Sequence, residues 1–180
     1  MVYLLLADGF EEIEALTPLD ILRRANVEIT TVSIKDKTII GAHNIPVIAD
    51  KTISELDTIE DMELLILPGG AGHELLDASN ETHAMINYAH ERGIYIAAIC
   101  AAPSILGKKM LLDGKKAVCF PGYEKYLYGA EVVNDKVVTD GKFITAKGAG
   151  AAAEFGFTIC ELLKDKKTAD DLRATMQYGS

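Results

Sequence analysis

A chain of 180 residues that sets 27 Asp and Glu against 18 Lys and Arg carries a net charge of −9, and without clustered cations to neutralise phosphates no nucleic-acid partner is expected. Its length suits a single domain over 1–180, large enough to bury roughly 70% of the surface of the unfolded chain without a disulfide or metal staple. Three cysteines lacking C-x-x-C spacing, four histidines lacking H-x-x-x-H spacing and an N-terminal apolar run that stops at Asp8-Gly9 point to no disulfide framework, no metal, no signal peptide and no membrane span or membrane partner, hence to the cytoplasm.

In chain order, short apolar runs at 2–7, 28–33, 64–67, 95–99, 116–119 and 143–146 read as strands. Amphipathic stretches at 11–25, 82–91, 101–108, 150–164 and 169–177 read as helices. Two further extended pairs, 38–40 with 46–49 and 132–134 with 136–139, read as small peripheral β-hairpins. Strands bounded by Gly or Pro and alternating with helices call for an α/β three-layer sandwich, a mostly parallel sheet with helices on both faces. Ligands of such sheets bind beyond the carboxyl ends of the strands, so the residues that follow each strand are the candidates for chemistry.

Glu11, Glu12 and Glu14 follow the first strand and crowd the first turn of a helix, where the macrodipole favours carboxylates. Glu14, one residue after Ile13 and one turn before Pro18-Leu19, is the one expected to point inward. There, desolvation would hold its proton near neutral pH and let it donate to a thiolate. Pro68-Gly69-Gly70 follows a buried strand directly, and glycines leave their amides free to face a neighbouring strand end. His73, expected in the loop beyond, is the one histidine placed to serve as a second proton carrier; His83 and His90, seven apart on a helix, read as solvent-facing.

The run Ala97-Ala98-Ile99-Cys100-Ala101-Ala102-Pro103 has the layout of a nucleophile elbow, with Ala98 and Ala102 in the small positions and a cysteine as nucleophile. A thiol just before a helix N-terminus is expected to titrate below the usual value of about 8.5. The amides of Gly69, Gly70 and Ala101 would form an oxyanion hole beside it. Cys119 and Cys160 sit in apolar runs and read as packing residues. Phe120-Pro121 and Gly148-Ala149 each follow a strand and are expected to line the same pocket. Gly148-Ala149-Gly150 imitates a dinucleotide fingerprint, but no strand intervenes before Asp170, so no cofactor is expected.

With Glu11-Glu12-Ile13-Glu14, Leu67-Pro68-Gly69-Gly70, the Cys100 elbow and Gly148-Ala149-Gly150 in place, the chain resembles the ThiJ/PfpI superfamily from about Val2 to Leu163. It is most similar to the branch of the Parkinson-disease-associated deglycase and its YajL-like bacterial relatives. The resemblance implies a flavodoxin-like fold, a homodimer, and a signature pair in which Cys100 is hydrogen-bonded to a protonated Glu14, with Gly69, Gly70 and Ala101 as backbone donors. It implies a cofactor-free glyoxalase or deglycase acting on small aldehydes or dicarbonyls such as methylglyoxal, or on their early adducts, with Cys100 as nucleophile and Glu14 as proton carrier. The alternative it implies is a redox-sensing stress protein or chaperone that uses oxidation of Cys100 without significant turnover. Human-type members carry a histidine where this chain has Phe120 before Pro121, as YajL-like members do, so no acid–base triad is expected. The protease-like branch has a histidine where Ala101 stands, which argues against peptidase activity.

Overall fold

Every residue of Val2–Leu6 (β1) is buried, as a strand covered on both faces requires. Val2, Leu4 and Leu6 enter one apolar layer while Tyr3, Leu5 and Ala7 enter the other, the period-2 alternation of a pleated strand. The computed structural model describes residues 1–179. After β1 come α1 (Glu12–Arg24), β2 (Ile29–Ser33), β3 (Thr38–Ile40), β4 (Pro46–Ile48) and β5 (Lys51–Thr52). The middle of the chain forms β6 (Leu64–Leu67), α2 (Gly72–Ala78), α3 (Asn80–Glu91), β7 (Tyr95–Ile99) and α4 (Pro103–Lys108). The remainder forms β8 (Lys116–Ala117), β9 (Glu131–Val132), β10 (Val137–Asp140), β11 (Phe143–Ala146), α5 (Ala152–Leu163) and α6 (Lys166–Thr175).

Seven strands form the central sheet in the order β10-β11-β7-β6-β1-β2-β5. All neighbours are parallel except the edge pair β10–β11. On one face, Ile21 and Leu22 of α1 meet Phe155, Phe157 and Ile159 of α5. On the other, Met85 and Ile86 of α3 share an apolar layer with Ile105 and Leu106 of α4. This is the flavodoxin-like three-layer arrangement expected from the sequence. No helix among the described residues is long and apolar enough to cross a membrane.

The hairpin β3–β4 forms as expected, antiparallel with Ile39 opposite Val47, but the second expected hairpin does not. Glu131–Val132 pairs instead in parallel with Lys116–Ala117, outside the central sheet, so the 116–119 run is not one of its strands. Val137–Asp140 folds back on Phe143–Ala146 through a two-residue turn with Gly141 at φ +59°. Asp140-Gly141 is itself a hairpin signal, and it competes successfully with the turn expected at Asn134-Asp135. Helix α2 was not expected from the sequence, since it is a seven-residue segment behind two glycines.

Gly156 lies where α5 crosses α1, and a Cβ added there would fall 2.9 Å from Ile21 Cδ1 and 3.0 Å from Pro18 Cα. Alanine would gain about 1 kcal/mol in helix propensity, but pushing on α1 backbone costs about 1–3 kcal/mol. Gly156→Ala is expected to lower the denaturant midpoint at unchanged slope, a net loss of about 1 kcal/mol; a raised midpoint would show that the helices separate freely.

Candidate active site

Strand parity predicts the wrong face for Cys100, and its backbone corrects this. Along β7, Ile96 and Ala98 face the α3–α4 layer while Ala97 and Ile99 face the α1–α5 layer, so an extended residue 100 would turn away from α1. Cys100 instead has φ +66° and packs in the α1–α5 layer with its neighbour Ile99. A left-handed backbone at a non-glycine residue costs about 1–3 kcal/mol and persists only where the surroundings fix it. Here the Cys100 amide donates to the Ala146 carbonyl and the Phe120 amide donates to the Cys100 carbonyl, each at 2.8 Å.

The side chain that Cys100 meets is Glu14, from the first turn of α1. Glu14 is 1% exposed, accepts from the Gly69 amide at 3.0 Å, and lies beside the Cys100 thiol and the Ala149 amide, both of which pull its pKa down. Burial raises its pKa from 4.5 to about 7, against the pull of those donors. The Gly70 and Ala101 amides face the sulfur, whereas the Gly69 amide, expected at the oxyanion, holds Glu14. Both glycines are obligatory for steric reasons. A Cβ on Gly69 would lie 2.5 Å from both Cys100 Cβ and Glu14 Oε2, and one on Gly70, at φ +77°, would lie 2.5 Å from the Glu11 amide nitrogen.

The lowered thiol pKa expected from the helix terminus is not found. Burial, followed by the charge of Glu14, pushes Cys100 up to about 12 against the pull of the Gly70 and Ala101 amides. Helix α4 begins only at Pro103 and has six residues, too short to supply much dipole. Between about pH 7 and about pH 12 the pair therefore holds one proton, and below about 7 it holds two. With Glu14 ionised the sulfur is a thiol; with the proton on Glu14 the Coulomb penalty vanishes and the carboxyl can donate to a thiolate.

Phe120 is 48% exposed and lies over Gly148, where a Cβ would come 3.3 Å from Phe120 Cδ2, 3.6 Å from Glu14 Oε1 and 3.9 Å from Cys100 Sγ. Phe120, Pro121, Gly148 and Ala149 line a cavity of about 440 Å³ at this spot. His73 is not in a loop. It is buried on α2, its Nδ1 donating to the Gly70 carbonyl at 2.7 Å with its ring edge-on to Tyr123, so it buttresses the Gly70 turn. His83 is also tied down, its Nε2 bonding the Asp77 carbonyl at the end of α2, while Cys119 and Cys160 are buried as packing residues.

One residue does more than the sequence signalled. Glu12 is 5% exposed and accepts from the His43 amide at 2.7 Å and from His43 Nδ1 at 2.8 Å, while Glu11 lies 3.6 Å from the same nitrogen. It therefore fixes the β3–β4 hairpin to the start of α1 rather than merely serving the helix dipole. Nothing in local spacing marks a contact 31 residues away.

Because the native carboxyl of Glu14 binds its proton more tightly between pH 4.5 and about 7, the stability this proton confers is fully present below 4.5 and lost as pH rises through about 7. At 1.36 kcal/mol per pH unit the swing is about 3 kcal/mol. Glu14→Gln removes it. Denaturant unfolding of both proteins is expected to show the variant gaining about 3 kcal/mol relative to wild type between pH 4.5 and about pH 8; a constant difference would mean that Glu14 titrates like a surface carboxylate.

A model of the DJ-1/PfpI family matches residues 1–162. The chain is 36% identical to Protein DJ-1 homolog B of Arabidopsis thaliana over 167 residues, 91% of this chain and 38% of that protein. Against the DJ-1 homolog A of the same plant the coverage is 95% and 45%, so the chain spans less than half the length of these two relatives. It is 30% identical to a deglycase of Thermococcus kodakarensis, covering 83% of this chain and 90% of the deglycase. Among solved structures, a cysteine-to-alanine mutant of a DJ-1 superfamily protein from Salmonella typhimurium superposes with a TM-score of 0.93 at 33% identity, covering 99% and 98% of the two chains. Oxidised DJ-1 of Toxoplasma gondii superposes at 0.92 with 32% identity, covering 99% and 98%. A family match over most of the chain and a fold shared end to end place this protein in the DJ-1/PfpI family.

Proposed function

We propose that this chain is a cofactor-free enzyme acting on small reactive dicarbonyls, of which methylglyoxal is the type, or on their early adducts. The observation that carries this reading is the pairing of Glu14, 1% exposed and titrating near 7, with a thiol on a left-handed elbow. A carboxyl with that pKa is matched to proton transfer at neutral pH. The similarity to a named deglycase supports the same class of substrate.

The steps follow from the groups present. With the proton on Glu14, the Cys100 thiolate adds to the aldehyde carbon, forming a carbon–sulfur bond, and the carbonyl oxygen takes the Glu14 proton to give a hemithioacetal, which leaves Glu14 a carboxylate able to accept the next proton. The Gly70 and Ala101 amides, which face the sulfur, stabilise the oxyanion as it develops. Glu14 then moves a proton from the former aldehyde carbon to the neighbouring carbonyl carbon through an enediol, leaving a thioester of the hydroxy acid. Water cleaves the thioester, releasing lactate and restoring the thiol. Phe120 carries no proton, so all transfers by side chains in this scheme fall to Glu14.

A second reading is oxidation of Cys100 by peroxide to sulfenic and then sulfinic acid, with the Gly70 and Ala101 amides holding the new oxygens. Its support is that Cys100 is partly exposed while Cys119 and Cys160 are buried.

Lactate formation from methylglyoxal separates the two. Wild type is expected to make lactate, Cys100→Ser to make none, and Glu14→Gln to lose at least about 100-fold in kcat/KM, the lower range of acid–base effects. A loss below threefold would remove Glu14 from the chemistry. Absence of lactate together with addition of two oxygens at Cys100 under peroxide would favour the second reading.

A further inference from the structure

The cavity beside Cys100 contains two lysines that have no part in the steps above. Lys136 and Lys147 line it together with Phe120, Pro121 and Gly148. They are direct cross-strand neighbours, one step beyond the Val137–Ala146 pair of β10 and β11, and the Lys147 amide donates to the Lys136 carbonyl at 3.0 Å. Directly opposed residues on antiparallel strands project to the same side, where like charges repel.

That repulsion is not relieved by a carboxylate. Lys37, Lys108, Lys166 and Lys167 each pair with an Asp or Glu. Lys147 reaches only the Asn134 side-chain oxygen, and Lys136 has no ion-pair partner among the described residues. In a chain of net charge −9, two uncompensated cations side by side therefore line the cavity that Phe120 and Gly148 bound beside Cys100. Gly148, which lines that cavity, also lies against the sulfur, since a Cβ there would lie 3.9 Å from Cys100 Sγ.

From this we infer that Lys136 and Lys147 form an anion subsite that draws carboxylate-bearing electrophiles to Cys100. Such a ligand places its carboxylate between the two ammonium groups and its electrophilic carbon toward the sulfur, past the Phe120 ring. Neutral electrophiles reach the same sulfur without this assistance. The inference rests on the proposed function only in taking Cys100 as the reacting atom. It deepens that reading by making an acid-bearing dicarbonyl a better substrate than methylglyoxal itself.

Iodoacetate and iodoacetamide test it without requiring turnover. Each alkylates Cys100 in the same way, the thiolate sulfur displacing iodide from the methylene carbon to form a carbon–sulfur bond, and the two reagents differ in one negative charge. Second-order rate constants at Cys100, followed by mass spectrometry on the full chain, give the iodoacetate-to-iodoacetamide ratio. In the Lys136→Met/Lys147→Met double variant the ratio is expected to fall about tenfold, the low end of electrostatic steering. The iodoacetamide rate is expected to stay within twofold, which a misfolded site would not allow. Lys136→Arg/Lys147→Arg is expected to keep the wild-type ratio, and high salt to lower the wild-type ratio toward that of the Met variant. An unchanged ratio in the Met variant would overturn the subsite. If that happens while wild type still makes lactate, the proposed function survives alone. A tenfold fall without lactate formation would leave the subsite standing and remove the enzymatic reading.

Discussion

The left-handed backbone at Cys100, φ +66°, is the constraint on which the site depends. In an extended conformation residue 100 would follow Ala98 into the α3–α4 layer, away from Glu14. Two bonds hold the reversal, one to the Ala146 carbonyl on β11 of the central sheet and one from the Phe120 amide in the segment after β8, outside that sheet. The first of these exists because β11 pairs with β7 through Ala146 and Ile99. The strain at the nucleophile is thus offset by the central sheet together with the segment that follows β8.

What the elbow accomplishes is electrostatic. Placing a thiol and a carboxyl together under burial keeps at least one proton on the pair, because two adjacent buried anions repel strongly. The backbone donors are divided accordingly, with Gly69 and Ala149 serving Glu14 and Gly70 and Ala101 serving the sulfur. This division supports either position of the proton, as a group that must give and recover a proton within one cycle requires. Gly69 cannot carry a side chain without striking both partners, so the glycine pair serves contact distance as much as turn geometry.

Most of the fold was legible in the sequence because both faces of the sheet are covered. Runs such as Val2–Leu6 and Leu64–Leu67 are apolar throughout, and only a doubly covered strand buries them. Cys100 and Glu14 were expected together because each follows a strand, where ligands of such sheets bind, and because the resemblance pairs them. Other features depended on partners distant in sequence. Strand β9 has two residues and pairs with β8, and no local periodicity specifies that choice. The Glu12–His43 bond joins residues 31 apart. The direction of the Cys100 shift was misread because the sequence shows the helix start but not the burial, and burial is the larger effect. The Gly-rich punctuation around His73 reads as a loop because α2 is too short to show a period of its own.

The central claim is that burial holds the Glu14 proton near neutral pH, ready for transfer to and from Cys100. The most direct test is a carbon-13 NMR titration of glutamate side-chain carboxyls in the full chain, with the Glu14 signal assigned by its loss in Glu14→Gln. The account predicts a midpoint at about 7 for Glu14, well above that of the surface glutamates. A Glu14 midpoint near the ordinary 4.5 would contradict it, leaving the pair a structural contact with no proton to move at neutral pH.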